Sequence, residues 1–261
     1  MYIDKTFYKI LAMITKRFLF ILSAILFLQF QTLFAQELIT IDHLRGDDRN
    51  YVRGINVGSS GKTVVCGDYR ESLTAGLGDN EASVNTDGVS SGYIASYDED
   101  AKLQFLIGLK SSKYGYVIDA YVDNNNAIYA SGDYTGIMNI DPLGEGKEIT
   151  STGFSEFVNS PDPFLAKYDS KGKMEWYINP VESDYGYGSA IIPTPTGSVI
   201  WAGTYSGSMK FPFKGETVTY PDPPFTDNDD SFIFEVDSLG EISRHMRTTG
   251  KGLLYFDEGS Y

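Results

Sequence analysis

Phe164-Leu165-Ala166-Lys167-Tyr168-Asp169-Ser170-Lys171-Gly172-Lys173-Met174-Glu175-Trp176 reads as a hydrophobic strand ending in Asp, a tight turn, and a second strand. Asp at the first position of a type I turn accepts backbone N–H bonds, and Gly at the fourth takes the positive φ that closes a three-residue hairpin with a bulge. The same arrangement begins at Phe232-Ile233-Phe234-Glu235-Val236-Asp237 and, earlier, at Tyr93-Ile94-Ala95-Ser96-Tyr97-Asp98. A second element accompanies it, Gly-x-Tyr, at Gly67-Asp68-Tyr69, Gly132-Asp133-Tyr134 and Gly203-Thr204-Tyr205. From Asp98 to Gly132 and from Asp169 to Gly203 the separation is 34 residues both times, and the elements recur every 65 to 71 residues.

A period of that length carrying four or more short strands predicts stacked sheet units, each unable to bury its apolar face alone. The unit beginning at Phe164 supplies four strands, 164–168, 173–178, 189–194 and 198–205. A second hairpin lies 25 residues after the first, because Gly61, Asn126 and Gly197 each stand six residues before the Gly of Gly-x-Tyr. These residue types tolerate a left-handed backbone. At the first hairpin the copy Asp98-Glu99-Asp100-Ala101 has Ala where the others have Gly. That hairpin is expected either to differ in shape or to carry strain on the order of 1 kcal/mol.

Tandem four-stranded units without helical periodicity predict an all-β chain, a β-propeller in the first instance, with a sheet solenoid as the alternative. The units fall at 37–92, 93–163, 164–231 and 232–261. Residues 37–43 serve as a second strand with no Asp-ending strand before them, the offset start expected of a ring whose last strand completes its first unit. Asp237 places the next Gly-x-Tyr near position 271, whereas the sequence stops at Tyr261. About three and a half units are thus expected, a partial or open propeller from a truncated reading frame, against a usual range of roughly four to eight blades.

The stretch Phe164 to Trp176 resembles the SBBP-type β-propeller repeat, an aromatic-led A-K-Y/L-D-x-x-G-x-L-x-W followed by a strand ending in T/S-G-x-Y/F-x-G. The resemblance covers roughly residues 51–261. The unit at Tyr93 departs from the pattern at Ala101 and has Phe105 for Trp, and the unit at Phe232 has Arg244 there. The resemblance implies a propeller fold and an exported bacterial protein, of a kind often ending in a sorting domain for type IX secretion. It implies no catalytic residue set.

Residues 1–35 read as a signal peptide: Lys16 and Arg17, an apolar run from Phe18 to Leu28 broken by Ser23, and Ala35 before the expected cleavage. The run is short of the roughly 20 residues that span a bilayer, so no stable membrane span is expected after cleavage, and a secreted or cell-surface location follows. Removing Lys5, Lys9, Lys16, Arg17 and Asp4 leaves 17 basic and 34 acidic residues, a net charge of −17. Nucleic acid and anionic lipid both need clustered Lys and Arg, so this acidity argues against nucleic acid as a partner. Cys66, alone in its type, lies in a strand run and reads as a small buried hydrophobe.

Chemistry looked for in the remainder points to few residues. Asp169-Ser170-Lys171-Gly172-Lys173 lacks the Thr of a quinoprotein docking pattern, and Gly172 lies one residue too far from Asp169 for a sialidase Asp box. His43, His245 and Cys66 are too far apart in sequence for a zinc site. Asp227, Asp229 and Asp230 form the densest oxygen cluster, the candidate for calcium, but match no EF-hand loop. No other cofactor is expected. Phe211, Phe213, Tyr220 and Phe225 lie in a long insertion, either as an aromatic platform for sugars or peptides or as an extra hairpin, 209–213 against 216–220, packed onto its own sheet. The functional expectation is an exported, non-catalytic scaffold for adhesion or for binding a glycan or protein. The alternative is an exported propeller enzyme, a glycan-active hydrolase or a quinoprotein-like dehydrogenase.

Overall fold

In a computed structural model of the chain, residues 44–152, 160–221 and 229–248 are described. All belong to one compact unit, Asp42–Tyr261. The expected signal peptide, the strand expected at 37–43, and the end of the chain beyond Thr248 lie outside the described residues. Among those described there is no α-helix, and no helix long and apolar enough to cross a membrane.

Three four-stranded antiparallel sheets make up the fold. The first contains β1 (Asn50–Val57), β2 (Thr63–Tyr69), β5 (Ser91–Tyr97) and β6 (Leu103–Leu109), hydrogen-bonded in that order. The second contains β7 (Tyr114–Val122), β8 (Ile128–Thr135), β11 (Asp162–Tyr168) and β12 (Met174–Ile178). The third contains β13 (Glu182–Pro193), β14 (Val199–Phe213), β16 (Asp230–Val236) and β17 (Ile242–Thr248). None closes into a barrel. Between the second and third strands of each sheet the chain makes an excursion: the hairpin β3 (Ser72–Ala75) with β4 (Ala82–Asn85), the hairpin β9 (Ile137–Asn139) with β10 (Glu148–Thr150), and β15 (Glu216–Tyr220), which pairs with the extension of β14.

Hydrogen bonding runs across the units read from sequence. Each sheet joins the last two strands of one sequence unit to the first two of the next, so the breaks between sheets fall at residues 110–113 and 179–181. Counted by sheets, the described residues hold three complete four-stranded units.

All six expected hairpins share one geometry. Asp98, Asp169 and Asp237 each accept, through Oδ1, the backbone N–H groups two and four residues on, at 2.8–3.0 Å. Asp123 does the same at the β7–β8 turn. The fourth turn residue has φ of 84° at Gly61, 57° at Ala101, 63° at Asn126, 85° at Gly172, 84° at Gly197 and 87° at Gly240. Ala101 therefore adopts the common shape, and it does so with a side chain that disfavours it.

The Gly of Gly-x-Tyr has a separate cause. The first strand of each sheet bulges opposite it, and a Cβ there would sit 1.8 Å from the Tyr51 carbonyl oxygen at Gly67, 1.8 Å from that of Tyr116 at Gly132, and 2.1 Å from that of Tyr187 at Gly203. The Tyr two residues on, Tyr69, Tyr134 or Tyr205, is buried beside it.

Apolar faces stack between sheets. Val64, Cys66, Ile94 and Ile107 of the first sheet share a core with Val117, Ala120, Val122, Ile128 and Ala130 of the second, and Cys66 is buried there as expected. Between the second and third sheets Trp201 is the centrepiece. Its ring lies 5.0 Å from Phe232 and 5.7 Å from Phe211, and its indole N–H donates to Ser131 Oγ on the second sheet at 2.8 Å. Aromatic pairs of this kind contribute roughly 0.5–1.5 kcal/mol each beyond their area.

Trp176 has its own partner on the next sheet. Its N–H donates to the Ser238 carbonyl at 3.0 Å, and a Cβ on Gly240 would lie 2.8 Å from its ring. Phe105 stands in the same way against Gly172, at 3.0 Å. An aromatic on the fourth strand of one sheet thus covers the turn glycine of the next.

Candidate binding grooves and a buried acidic cluster

Because neighbouring strands are antiparallel, the turns joining first to second and third to fourth strands lie at one end of every sheet, and the excursions leave from the other. The six hairpins therefore form a common rim. Ser59 Oγ donates to Asn124 Oδ1 at 2.9 Å and Ser60 Oγ to Asn126 Oδ1 at 2.5 Å, tying the first sheet's turn to the second's. Lys62 Nζ donates to the Ser170 carbonyl at 2.9 Å.

Among the described residues, two grooves open on this rim. One of about 440 Å³ lies between the first two sheets, lined by Ser60, Lys62, Glu99, Gln104 and Lys171 among others. Burial lowers the pKa of Lys62, and the Asp169 carboxylate offsets part of that. The second groove, about 460 Å³, lies between the second and third sheets, with Tyr121, Asp123, Asn125, Thr194, Thr196 and Lys167 on its walls. Burial opposes the charge on Lys167. The Glu175 carboxylate at 2.8 Å and the neighbouring Tyr129 and Asp123 outweigh it, and its pKa is raised. This groove combines amide, hydroxyl and carboxylate groups with the half-buried Tyr121 ring and two prolines, Pro193 and Pro195. Such walls offer both donors and acceptors to a polar ligand and flat apolar surface to its carbon skeleton.

A different concentration of polar groups lies at the sheet junctions, on the middle residues of Gly-x-Tyr. Asp68 is buried, and its Oδ1 accepts from Arg53 Nε at 2.5 Å. Burial still raises its pKa despite the guanidinium. Arg53 also stands over the Tyr116 ring, 4.8 Å from its centroid. Asp133, the equivalent residue on the second sheet, is buried with Oδ2 lacking a hydrogen-bond partner. Burial pushes its pKa up to about 8, with Arg53 opposing and Asp68 reinforcing the shift. A carboxyl so placed is biased toward its protonated form. The third sheet has Thr204 at this position. Tyr187, hydrogen-bonded to Tyr185, has its own pKa raised by burial and by that neighbour.

Phe211 and Tyr220 are buried, and the hairpin expected over 209–213 and 216–220 is present. Phe211 lies 4.7 Å from Phe234, and Tyr220 donates to the Met246 carbonyl at 3.2 Å. Their faces are spent on the third sheet's own core, as in the packed-hairpin reading of this insertion. Phe213 is half-buried, with its ring 4.8 Å from that of His245. Asp230 is also buried, 3.6 Å from Arg247 Nε and 3.4 Å from the Tyr205 hydroxyl. It is engaged by a cation of the protein itself. Phe225 and Asp227 lie outside the described residues, and Asp229 is at their border. Among the described residues no group of three or more His, Cys, Asp or Glu side chains is placed to hold a metal ion.

No family model and no curated protein matches the chain.

In the sequence Asp68 and Asp133 stand only as the variable middle of Gly-x-Tyr. The available signal was their residue type: a carboxylate inside a run such as Ile128-Tyr129-Ala130-Ser131-Gly132-Asp133-Tyr134 is costly unless partnered or protonated. The grooves had no comparable signal, because their walls are the same turn residues that the hairpins require.

Proposed function

We propose that the chain is an exported, non-catalytic repeat module of the β-propeller type that binds glycan through the rim groove between its second and third sheets. The observation that carries this reading is the occupation of the repeat's most reactive-looking residues. Asp98, Asp169 and Asp237 each bond their own turn, and Trp176 covers Gly240. Of the two rim grooves, the one with Tyr121, Asp123, Asn125, Thr194 and Thr196 sets an aromatic ring beside amide, hydroxyl and carboxylate groups. Vicinal sugar hydroxyls match paired amide and carboxylate groups, and a pyranose C–H face matches an aromatic ring. The propeller reading is supported by three like sheets stacked through equivalent residues, and export by the leader-like residues 1–35.

A catalytic reading has one feature in its favour, the buried Asp133 near Arg53 and Asp68, its pKa raised by burial. Its burial argues that it serves the sheet junction and not a substrate. The test is a glycan array probed with the whole chain, followed by Asn125→Ala and Tyr121→Ala. Binding to the glycan found is expected to fall at least tenfold in both, with far-UV circular dichroism unchanged. The reading fails if the array gives no ligand and Asp133→Asn abolishes a measured turnover.

A further inference from the structure

The rim groove between the first and second sheets holds a cation that the fold leaves short of partners. Lys62 is 8% exposed, and its ammonium carries three N–H donors. Among the described residues Nζ meets one acceptor, the Ser170 carbonyl at 2.9 Å, and lies 5.6 Å from the centroid of the Phe105 ring. No carboxylate oxygen of a described residue comes within 4.0 Å of it. Lys171, exposed on the second sheet's turn, lines the same groove and has no carboxylate within that distance either. Elsewhere in this acidic chain cations are matched at 2.8 Å or less, Arg53 to Asp68, Lys110 to Asp87, Lys167 to Glu175 and Lys210 to Glu182. The groove does contain carboxylates, but Asp98 gives Oδ1 to its own turn and Oδ2 to Gln104 at 2.8 Å. Asn126 accepts from Ser60 Oγ through Oδ1, and its amide NH2 meets no acceptor among the described residues.

We propose that this groove takes the carboxylate of an acidic sugar, a uronic acid residue, between Lys62 and Lys171. The inference rests on the glycan reading of the neighbouring groove. The β7–β8 turn stands between the two grooves: Asn126 lines this one, and Asp123, Asn124 and Asn125 line the other. A glycan seated in the second groove therefore reaches the first across a single turn. The volume of about 440 Å³ lies within the roughly 300–1,000 Å³ of small-molecule sites.

The remaining wall selects among anions. Glu99 lines the groove and is exposed. It opposes a doubly charged phosphate, which has no donor to offer it, whereas a singly charged uronate brings hydroxyl groups that donate to Glu99 and accept from the Asn126 amide. The overall negative charge of the chain does not work against this contact. Exposed charges beyond roughly 8 Å are screened at physiological salt, while a charge-assisted hydrogen bond from a buried ammonium acts at contact. Burial lowers the pKa of Lys62, with Asp169 opposing, and a carboxylate seated against Nζ pushes it back up.

Titration of the whole chain with galacturonate trisaccharide and with its methyl ester tests this, since esterification removes the charge and keeps the sugar. The free acid is expected to bind at least tenfold tighter. Lys171→Gln, at an exposed position, is expected to cut that preference at least threefold and to leave the ester's affinity unchanged, and Lys62→Gln to abolish it. Because Lys62→Gln also removes the bond to Ser170, a measurement on the unaltered chain stands beside it. The nitrogen resonance of Lys62 Nζ is expected to titrate at higher pH with the acid bound, and not with the ester. Equal binding of acid and ester, binding of neither, a preference indifferent to both Lys variants, or an Nζ titration unmoved by the acid would overturn the proposal. L-glutamate binding as tightly as the trisaccharide would also overturn it, by making the groove an amino-acid site. The glycan reading is judged separately, by the array and by Tyr121→Ala, which lies outside this groove and is expected to weaken acid and ester by the same factor.

Discussion

The turn glycines separate two physical costs that ordinarily travel together. Gly197 and Gly172 have nearly the same φ, 84° and 85°. A Cβ at Gly197 would meet nothing within 4 Å, whereas one at Gly172 would lie 3.0 Å from the Phe105 ring on the neighbouring sheet. Changing Gly197 to Ala carries the left-handed penalty of roughly 1–2 kcal/mol, offset by about 0.4–1 kcal/mol of lost unfolded-state entropy. The expected net destabilisation is about 1 kcal/mol. Gly172→Ala carries the same backbone cost plus overpacking against a ring fixed by its own sheet, typically 1–3 kcal/mol, for an expected total of about 2–4 kcal/mol. Ala101→Gly removes the penalty at a turn of the same shape and is expected to stabilise by about 0.5–1 kcal/mol. Urea unfolding reads all three as shifts in midpoint at constant m. Equal losses for Gly197→Ala and Gly172→Ala would refute the claim that the ring of one sheet seats on the turn of the next.

Stability is expected to fall as pH rises from about 4 to about 8. Asp133, with its pKa raised to about 8, and Asp162, raised to about 6, keep their protons in the folded state over a range where the unfolded chain has lost them. Thermal melts at pH 5 and pH 8 check this: the midpoint is higher at pH 5, and Asp133→Asn flattens the difference, while a profile rising with pH contradicts it. Trp201→Ala removes a fully buried indole and its bond to Ser131, and a loss of about 3–5 kcal/mol is expected. A loss below about 1 kcal/mol in urea unfolding would place the junction of the second and third sheets elsewhere.

Much of the fold was legible because it depends on local chemistry. Asp at the first turn position and Gly or Asn at the fourth specify a hairpin whatever surrounds it, so Asp169 with Gly172 and Asp123 with Asn126 were readable in sequence. The phase of the repeat was not, since the choice between pairing β11 with β8 or with β13 is made by hydrogen bonds between residues about 35 apart. Which of the insertion's aromatic residues turns inward was undecided in sequence for a related reason. Phe211 and Phe213 alternate along β14, and only the twist of that strand back over Trp201 and Phe234 decides that Phe211 faces inward. The buried carboxyl of Asp133 and the rim grooves both arise where two sheets meet, which no single repeat encodes.

Amide chemical-shift mapping of the glycan identified by the array is the most direct test of the binding account. The expected result is a contiguous set of perturbed amides at Asn124, Asn125, Thr194, Thr196 and Ser238, around the groove between the second and third sheets, with those of Asp68, Asp133 and Thr204 unmoved. Perturbation centred on the Asp133 junction, or spread over the excursion hairpins with the rim silent, would contradict it.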